Sequence, residues 1–204
     1  MDVVNPRGGW IEVITGGMFS GKSEELIRRI RRAEIARQRA QIFKPAIDNR
    51  FDLKRVISRD NRGIDAVVVN NAADLRSNLL FGVKVVGIDE VQFFDEEIID
   101  VCMELADASV RVIAAGLDQD YLRRPFGPMP GLLAVAEYVS KMHAVCVRCG
   151  GPAHYTQRVA GGNSQIEIGD GTYEARCRVC YIPYEAAESS ADHAGEPLDA
   201  AITR

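Results

Sequence analysis

Strands alternating with helices, a glycine-rich loop closing the first strand, and two cysteine pairs near the far end predict an α/β protein. The expected architecture is a parallel sheet with flanking helices and a small metal-binding appendage. Alternation demands parallel strands, because each helix carries the chain back across the sheet. At 204 residues the chain has room for one such domain and an appendage.

Residues 1–9 read as a lead, and Trp10–Thr15 as the first strand. A helix follows from Lys22 to Arg37, with Leu26, Ile27, Ile30 and Ala33 on one face. Its other face carries Arg28, Arg29, Arg31 and Arg32, which suits a solvated or subunit-facing surface, or a polyanion. A second strand spans Ala40–Phe43 and stops at Lys44-Pro45; residues 46–62 are polar and turn-like. Val67–Val69 is a strand, Ala72–Leu80 a short helix, and Val83–Ile88 a buried strand that ends in Asp89-Glu90. A helix covers Glu96–Ala106, and Val110–Gly116 is the next strand. Then Pro125, Gly127, Pro128, Pro130 and Gly131 break the chain ahead of a short helix at Leu132–Glu137. The stretch from Cys146 to Cys180 has a glycine-rich middle, and the tail from Glu185 has the composition of a disordered segment. Three units are expected: a nucleotide-binding domain at 1–141, a zinc-binding domain at 142–184 and a tail at 185–204.

With 47% apolar and 26% charged residues the composition is that of a soluble globular protein. A net charge of −4 gives no general reason to expect nucleic acid or a membrane as partner. No N-terminal segment resembles a signal peptide and no apolar run approaches about 20 residues, so a cytoplasmic protein is expected.

The run Gly16, Gly17, Met18, Phe19, Ser20, Gly21, Lys22, Ser23 matches G-x-x-x-x-G-K-[ST] between a strand and a helix. Such a loop wraps backbone N–H groups around phosphates at a helix N-terminus. Lys22 would reach the β- and γ-phosphates of a nucleoside triphosphate, and the Ser23 hydroxyl would hold Mg²⁺. Asp89, at the end of an apolar strand, is placed to help hold that ion. Its neighbour Glu90 would accept a proton from a hydroxyl or a water.

Cys146, Cys149, Cys177 and Cys180 form two C-x-x-C pairs. In a reducing compartment these read as a Cys₄ zinc site, structural because four thiolates leave no open position. His143 and His154 flank the first pair as alternative ligands, although four cysteines already complete the set. Cys102 lies in an apolar stretch and reads as a small buried hydrophobe. Phe93, Phe94, Tyr121 and Phe126 follow the strand ends that form the ligand crevice of an open α/β sheet; they suit either a base sandwich or core packing.

The chain resembles the type II thymidine kinase family, the human cytosolic-like and bacterial enzymes, from about Gly9 to Tyr184. The segments that carry the likeness are Gly16–Ser23, Lys44–Phe51, Asp89–Phe94, Gly116–Tyr121, Pro125–Pro130, Thr156-Gln157-Arg158 and the two cysteine pairs. The resemblance implies a P-loop (RecA-like) parallel sheet with a zinc-binding lasso domain. It also implies ATP-dependent phosphorylation of the 5′-hydroxyl of thymidine or deoxyuridine. By likeness Glu90 is the general base; Ser23, Asp48 and Asp89 organise Mg²⁺; Arg50 and Gln92 join residues 16–23 and Asp89 on the ATP side. Met18, Phe93, Leu117, Tyr121 and Phe126 wall the nucleoside. Gln165, Ile166, Glu167, Ile168 and Gly169 read the base edge from the lasso, and Tyr173 reaches the sugar. A homotetramer inhibited by dTTP is implied as well. Two features depart from the family pattern: Tyr121 stands where phenylalanine is expected, and the stretch Gly169–Tyr173 is one residue short.

Two rival functions stay open on the residues alone. One is a P-loop kinase for another nucleoside. The other is an ATPase whose zinc ribbon grips nucleic acid, which the acidic residues Glu167, Asp170 and Glu174 between the cysteine pairs disfavour.

Overall fold

The computed structural model describes residues 8–47, 55–57, 63–160 and 172–183. In chain order its elements are β1 (Trp10–Thr15), α1 (Lys22–Ile35), β2 (Ala40–Pro45), β3 (Arg55–Ile57), β4 (Gly63–Asp65), β5 (Val67–Val69), α2 (Ala72–Ser77) and β6 (Val85–Ile88). There follow α3 (Glu97–Asp107), β7 (Arg111–Gly116), α4 (Met129–Val135), β8 (Tyr138–Lys141), β9 (Ala144–Val145), β10 (Pro152–Ala153), β11 (Tyr155–Arg158) and β12 (Tyr173–Arg176).

A six-stranded sheet runs in the order β5-β2-β6-β7-β1-β8. Every pairing in it is parallel. Alternate side chains serve opposite faces, as the pleat requires. Ile14 of β1 with Ile113 and Ala115 of β7 packs against Leu26, Ile27, Ile30 and Ala33 of α1. Ile11 and Val13 with Val112 and Ala114 pack on the other side against Ile98, Val101, Cys102 and Leu105 of α3 and Leu132 of α4. Gly87 sits under α1 because a Cβ there would come within 3.1 Å of Ile30 Cδ1. Among the described residues no helix is long and apolar enough to cross a membrane.

The expected apolar face of α1 is the buried one, but Arg29 leaves the expected basic face. It turns inward to Glu12, which is 2% exposed, at 2.6 Å and also meets Ser140. The prolines before α4 do not delay it: Met129 and Pro130 form its first turn, where proline's missing N–H costs nothing. The strand β3, paired antiparallel with β4, falls within the region 46–62 read as turn-like, and neither β4 nor β8 is among the expected strands. Cys102 is fully buried, and burial pushes its thiol up to about 12. The proposed tail, 185–204, lies outside the described residues.

Past β8 the chain forms two short antiparallel sheets, β9 with β10 and β11 with β12. Ala144, Cys146, Ala153 and Ala175 make a small core there, against which Phe19, Cys177 and Cys180 pack.

Candidate active site

The loops leaving β1, β6 and β7 emerge at the carboxyl edge of the sheet, where open parallel sheets bind ligands. After β1 the backbone enters the left-handed region at Gly16 (φ 143°), Phe19 (φ 67°) and Gly21 (φ 80°). A Cβ on Gly16 would lie 2.3 Å from the Met142 carbonyl oxygen, so the turn needs glycine there. The Ser20 hydroxyl and the Lys22 ammonium both donate to the Gly17 carbonyl at 2.8 Å, which closes the loop into a ring. Gly21 caps α1 without a side chain, so the first N–H groups of the helix face the loop. That end of a helix attracts anions.

Across from the loop, Asp89 follows β6. The Ser23 hydroxyl donates to its carboxylate, 3.2 Å from each oxygen, and Asp89 is only 6% exposed. This pair of hard oxygen donors, one neutral and one anionic, fits Mg²⁺, which takes few protein ligands alongside substrate phosphates.

Glu90 takes left-handed backbone angles (φ 50°, ψ 41°) at the head of a 3-10 turn, Val91–Phe93. Its carboxylate accepts a hydrogen bond from the Gln92 Nε2 at 2.5 Å. The other end of that amide, Oε1, accepts the Leu117 N–H at 3.0 Å. Gln92 is buried, so the amide ties the loop after β6 to the loop after β7.

Aromatic rings and Leu117 line the same edge. Phe93 and Phe126 meet edge-to-face, their centroids 5.5 Å apart at 88°. Tyr121 is buried, and the Arg158 guanidinium lies 3.6 Å from its ring centroid. Arg158 also donates to the Tyr173 hydroxyl at 2.8 Å. The two tyrosines, one after β7 and one in β12, are thus joined through a buried arginine. The Met18 N–H donates to the Thr156 hydroxyl at 3.0 Å. Sequence reasoning gave Thr156 and Arg158 no role. They stood in the Thr156-Gln157-Arg158 run, three polar or charged residues that are all buried in β11.

Asp48, Arg50 and Gln165, Ile166, Glu167, Ile168 and Gly169 lie outside the described residues.

The sulfur atoms of Cys146, Cys149, Cys177 and Cys180 all lie within 4.8 Å of one another. The Cys149 and Cys177 sulfurs are 3.6 Å apart. A tetrahedral zinc with bonds of about 2.3 Å needs sulfurs about 3.8 Å apart, so the set fits zinc. Burial pushes the Cys146 thiol up, but backbone N–H groups of Cys177, Cys149 and Arg148 outweigh it and hold it at about 6. Neighbouring sulfurs Cys177 and Cys149 push Cys180 up to about 12. Amides aimed at sulfur favour thiolate, the ligand form. His143 and His154 take no part among the described residues; they pair with each other, centroids 5.3 Å apart.

A glycine-rich loop whose helix serine meets a buried aspartate, followed by a second carboxylate held by Gln92, has the parts of a P-loop phosphotransferase. Comparison with known proteins narrows the class. The family model described as "Thymidine kinase" matches residues 9–181, and the chain belongs to the thymidine kinase family. It is 53% identical over 176 residues to "Thymidine kinase" of Bdellovibrio bacteriovorus, covering 86% of each chain. It is 54% identical over 176 residues to the Porphyromonas gingivalis protein of that name, again covering 86% of each. With "Thymidine kinase" of Rhodothermus sp. it shares 49% over 190 residues, 93% of this chain and 89% of the relative.

Proposed function

We propose that this chain transfers the γ-phosphoryl group of ATP to the 5′-hydroxyl of thymidine, and of deoxyuridine, giving the monophosphate for nucleotide salvage. The observation that carries this reading is the sequence-adjacent pair of acids with separate partners. Asp89 meets the phosphate-loop serine, Ser23, while Glu90 is turned by its left-handed backbone and held by Gln92.

The main-chain amides of residues 16–23 and the Lys22 ammonium bind and orient the triphosphate. Ser23 and Asp89, with Asp48 by resemblance, hold Mg²⁺, which supplies charge neutralisation on the phosphates when bound. Met18, Phe93, Leu117, Tyr121 and Phe126 place the nucleoside. Glu90 takes the proton of the 5′-hydroxyl as that oxygen bonds to the γ-phosphorus; the bond to the bridging oxygen breaks and ADP leaves. Arg50 and the base-reading group Gln165–Gly169 enter by resemblance alone, as do dTTP feedback inhibition and a homotetramer; a cytoplasmic setting is the expectation from the sequence. We read 1–141 as the catalytic domain and 142–184 as the lasso domain, whose zinc staples a segment with little core of its own.

Purified protein with labelled ATP and a panel of nucleosides tests the reading. Thymidine phosphorylated well above deoxycytidine and the purine nucleosides is expected. Comparable rates on all of them overturn the substrate, and ATP hydrolysis stimulated by DNA without nucleotide product overturns the reaction.

A further inference from the structure

We infer that Gln92 is a positioning residue for phosphoryl transfer, fixing the Glu90 carboxylate against the nucleoside wall; the inference rests on Glu90 as the base. The side chain of Gln92 is 2% exposed and both ends of its amide are used. Its orientation follows from chemistry. An ionised carboxylate only accepts, so Nε2 must face Glu90; a backbone N–H only donates, so Oε1 must face Leu117. Among the genetically encoded side chains of this length only an uncharged amide supplies a donor and an acceptor at those two points.

The surroundings are shaped to this side chain. A Cβ at Gly116 would lie 2.7 Å from Gln92 Oε1 and 2.9 Å from Val91 Cγ1. A Cβ at Gly127 would lie 2.2 Å from the Gln92 carbonyl oxygen. Gly116, at the end of β7, therefore makes room for the glutamine side chain, and Gly127 for the backbone that carries it. Glu90 itself sits in left-handed backbone, a conformation that strains a non-glycine residue and persists where neighbours over-determine it. The Gln92 amide is such a neighbour. A base must lie within hydrogen-bond reach of the proton it takes, and a carboxylate that swings freely spends less time there. Because the same amide holds Leu117, the base and one wall of the nucleoside crevice are set by a single side chain.

The test is a double-mutant cycle on the full-length protein with thymidine and ATP. Gln92→Met keeps the length and removes both hydrogen bonds; Gln92→Glu keeps an acceptor for Leu117 and replaces the donor toward Glu90. Each is expected to lower kcat about tenfold or more, with the thymidine KM of Gln92→Glu within about twofold of wild type. Added to Glu90→Gln, Gln92→Met should change kcat by less than about twofold, because its effect runs through the carboxylate. Wild-type kcat in a folded Gln92→Met protein, or a penalty that multiplies in full with that of Glu90→Gln, overturns the inference. If Gln92→Met fails to fold, Gln92→Glu carries the same comparison. Wild-type turnover by Glu90→Gln alone is a separate failure: it removes the base, whatever Gln92 does.

Discussion

The hydroxyl of Thr156 accepts the backbone N–H of Met18 at 3.0 Å, so the strand β11 is bonded directly to the phosphate loop. The approach is close throughout: a Cβ on Gly17 would lie 3.2 Å from the His154 carbonyl oxygen. The cysteine-stapled unit therefore bears directly on the glycine-rich loop. Thr156→Val keeps the shape and leaves the Met18 N–H without its acceptor, at a cost of about 1 kcal/mol. Thymidine kcat/KM should fall about fivefold, read by steady-state kinetics; unchanged kinetics would mean the bond is not used in turnover.

Lys22 donates to the Gly17 carbonyl within the loop, a contact the ammonium would exchange for phosphate oxygens. Lys22→Ala should reduce kcat by about a hundredfold or more, since a positioned charge facing the transferred group is removed. Thymidine binding measured by calorimetry should persist. Full turnover in this variant would contradict the assignment of the loop.

Much of this arrangement is visible in the residues before any coordinates. Ile11–Thr15, Val85–Ile88 and Val110–Gly116 are apolar runs long enough to identify buried parallel strands, and Leu26, Ile27, Ile30 and Ala33 mark the buried face of α1. What escaped has physical causes. The strands β3 and β4 have three residues each, too short for periodicity to speak. In the edge strand β8, Tyr138 and Val139 are exposed, so no buried face announces it. The joining of Tyr121 to Tyr173 through Arg158 and the Gln92 bridge from Glu90 to Leu117 link residues distant in sequence, and local pattern has no access to such contacts.

Among the described residues the four sulfurs converge without other ligands, so their metal should be structural. Metal analysis of purified protein should give zinc in a one-to-one ratio with the chain. Cys149→Ser, or a strong chelator, should lower the melting temperature and raise the thymidine KM more than it lowers kcat, because the cysteine-stapled unit loosens while the bonds within the phosphate loop remain. Absence of zinc from the wild-type protein would defeat this.

Below the sheet face of α1, Glu12 gathers more charge than any apolar core position would. Arg111 reaches it through Nε at 2.6 Å and Arg29 through Nη1 at 2.6 Å, while the Trp10 indole donates at 2.7 Å. Burial pushes the carboxyl up, but Arg111, Trp10 and Arg29 together outweigh it and hold the group below its ordinary value of 4.5. Glu25, hydrogen-bonded chiefly by Arg28, is held at about 2. Both carboxyls bind protons less readily folded than unfolded, so their stabilisation is full above about pH 4.5 and is lost as the pH falls through their lowered values, about 2 for Glu25. Denaturant titrations across that window should show stability declining with acid, and Glu12→Gln should flatten the slope. Glu12→Ala should cost about 3 kcal/mol near neutrality, because it strands the half-buried Arg111 guanidinium, whereas Arg29 keeps Glu25 and Ser140. A slope unchanged in Glu12→Gln would show that this network does not govern the acid response.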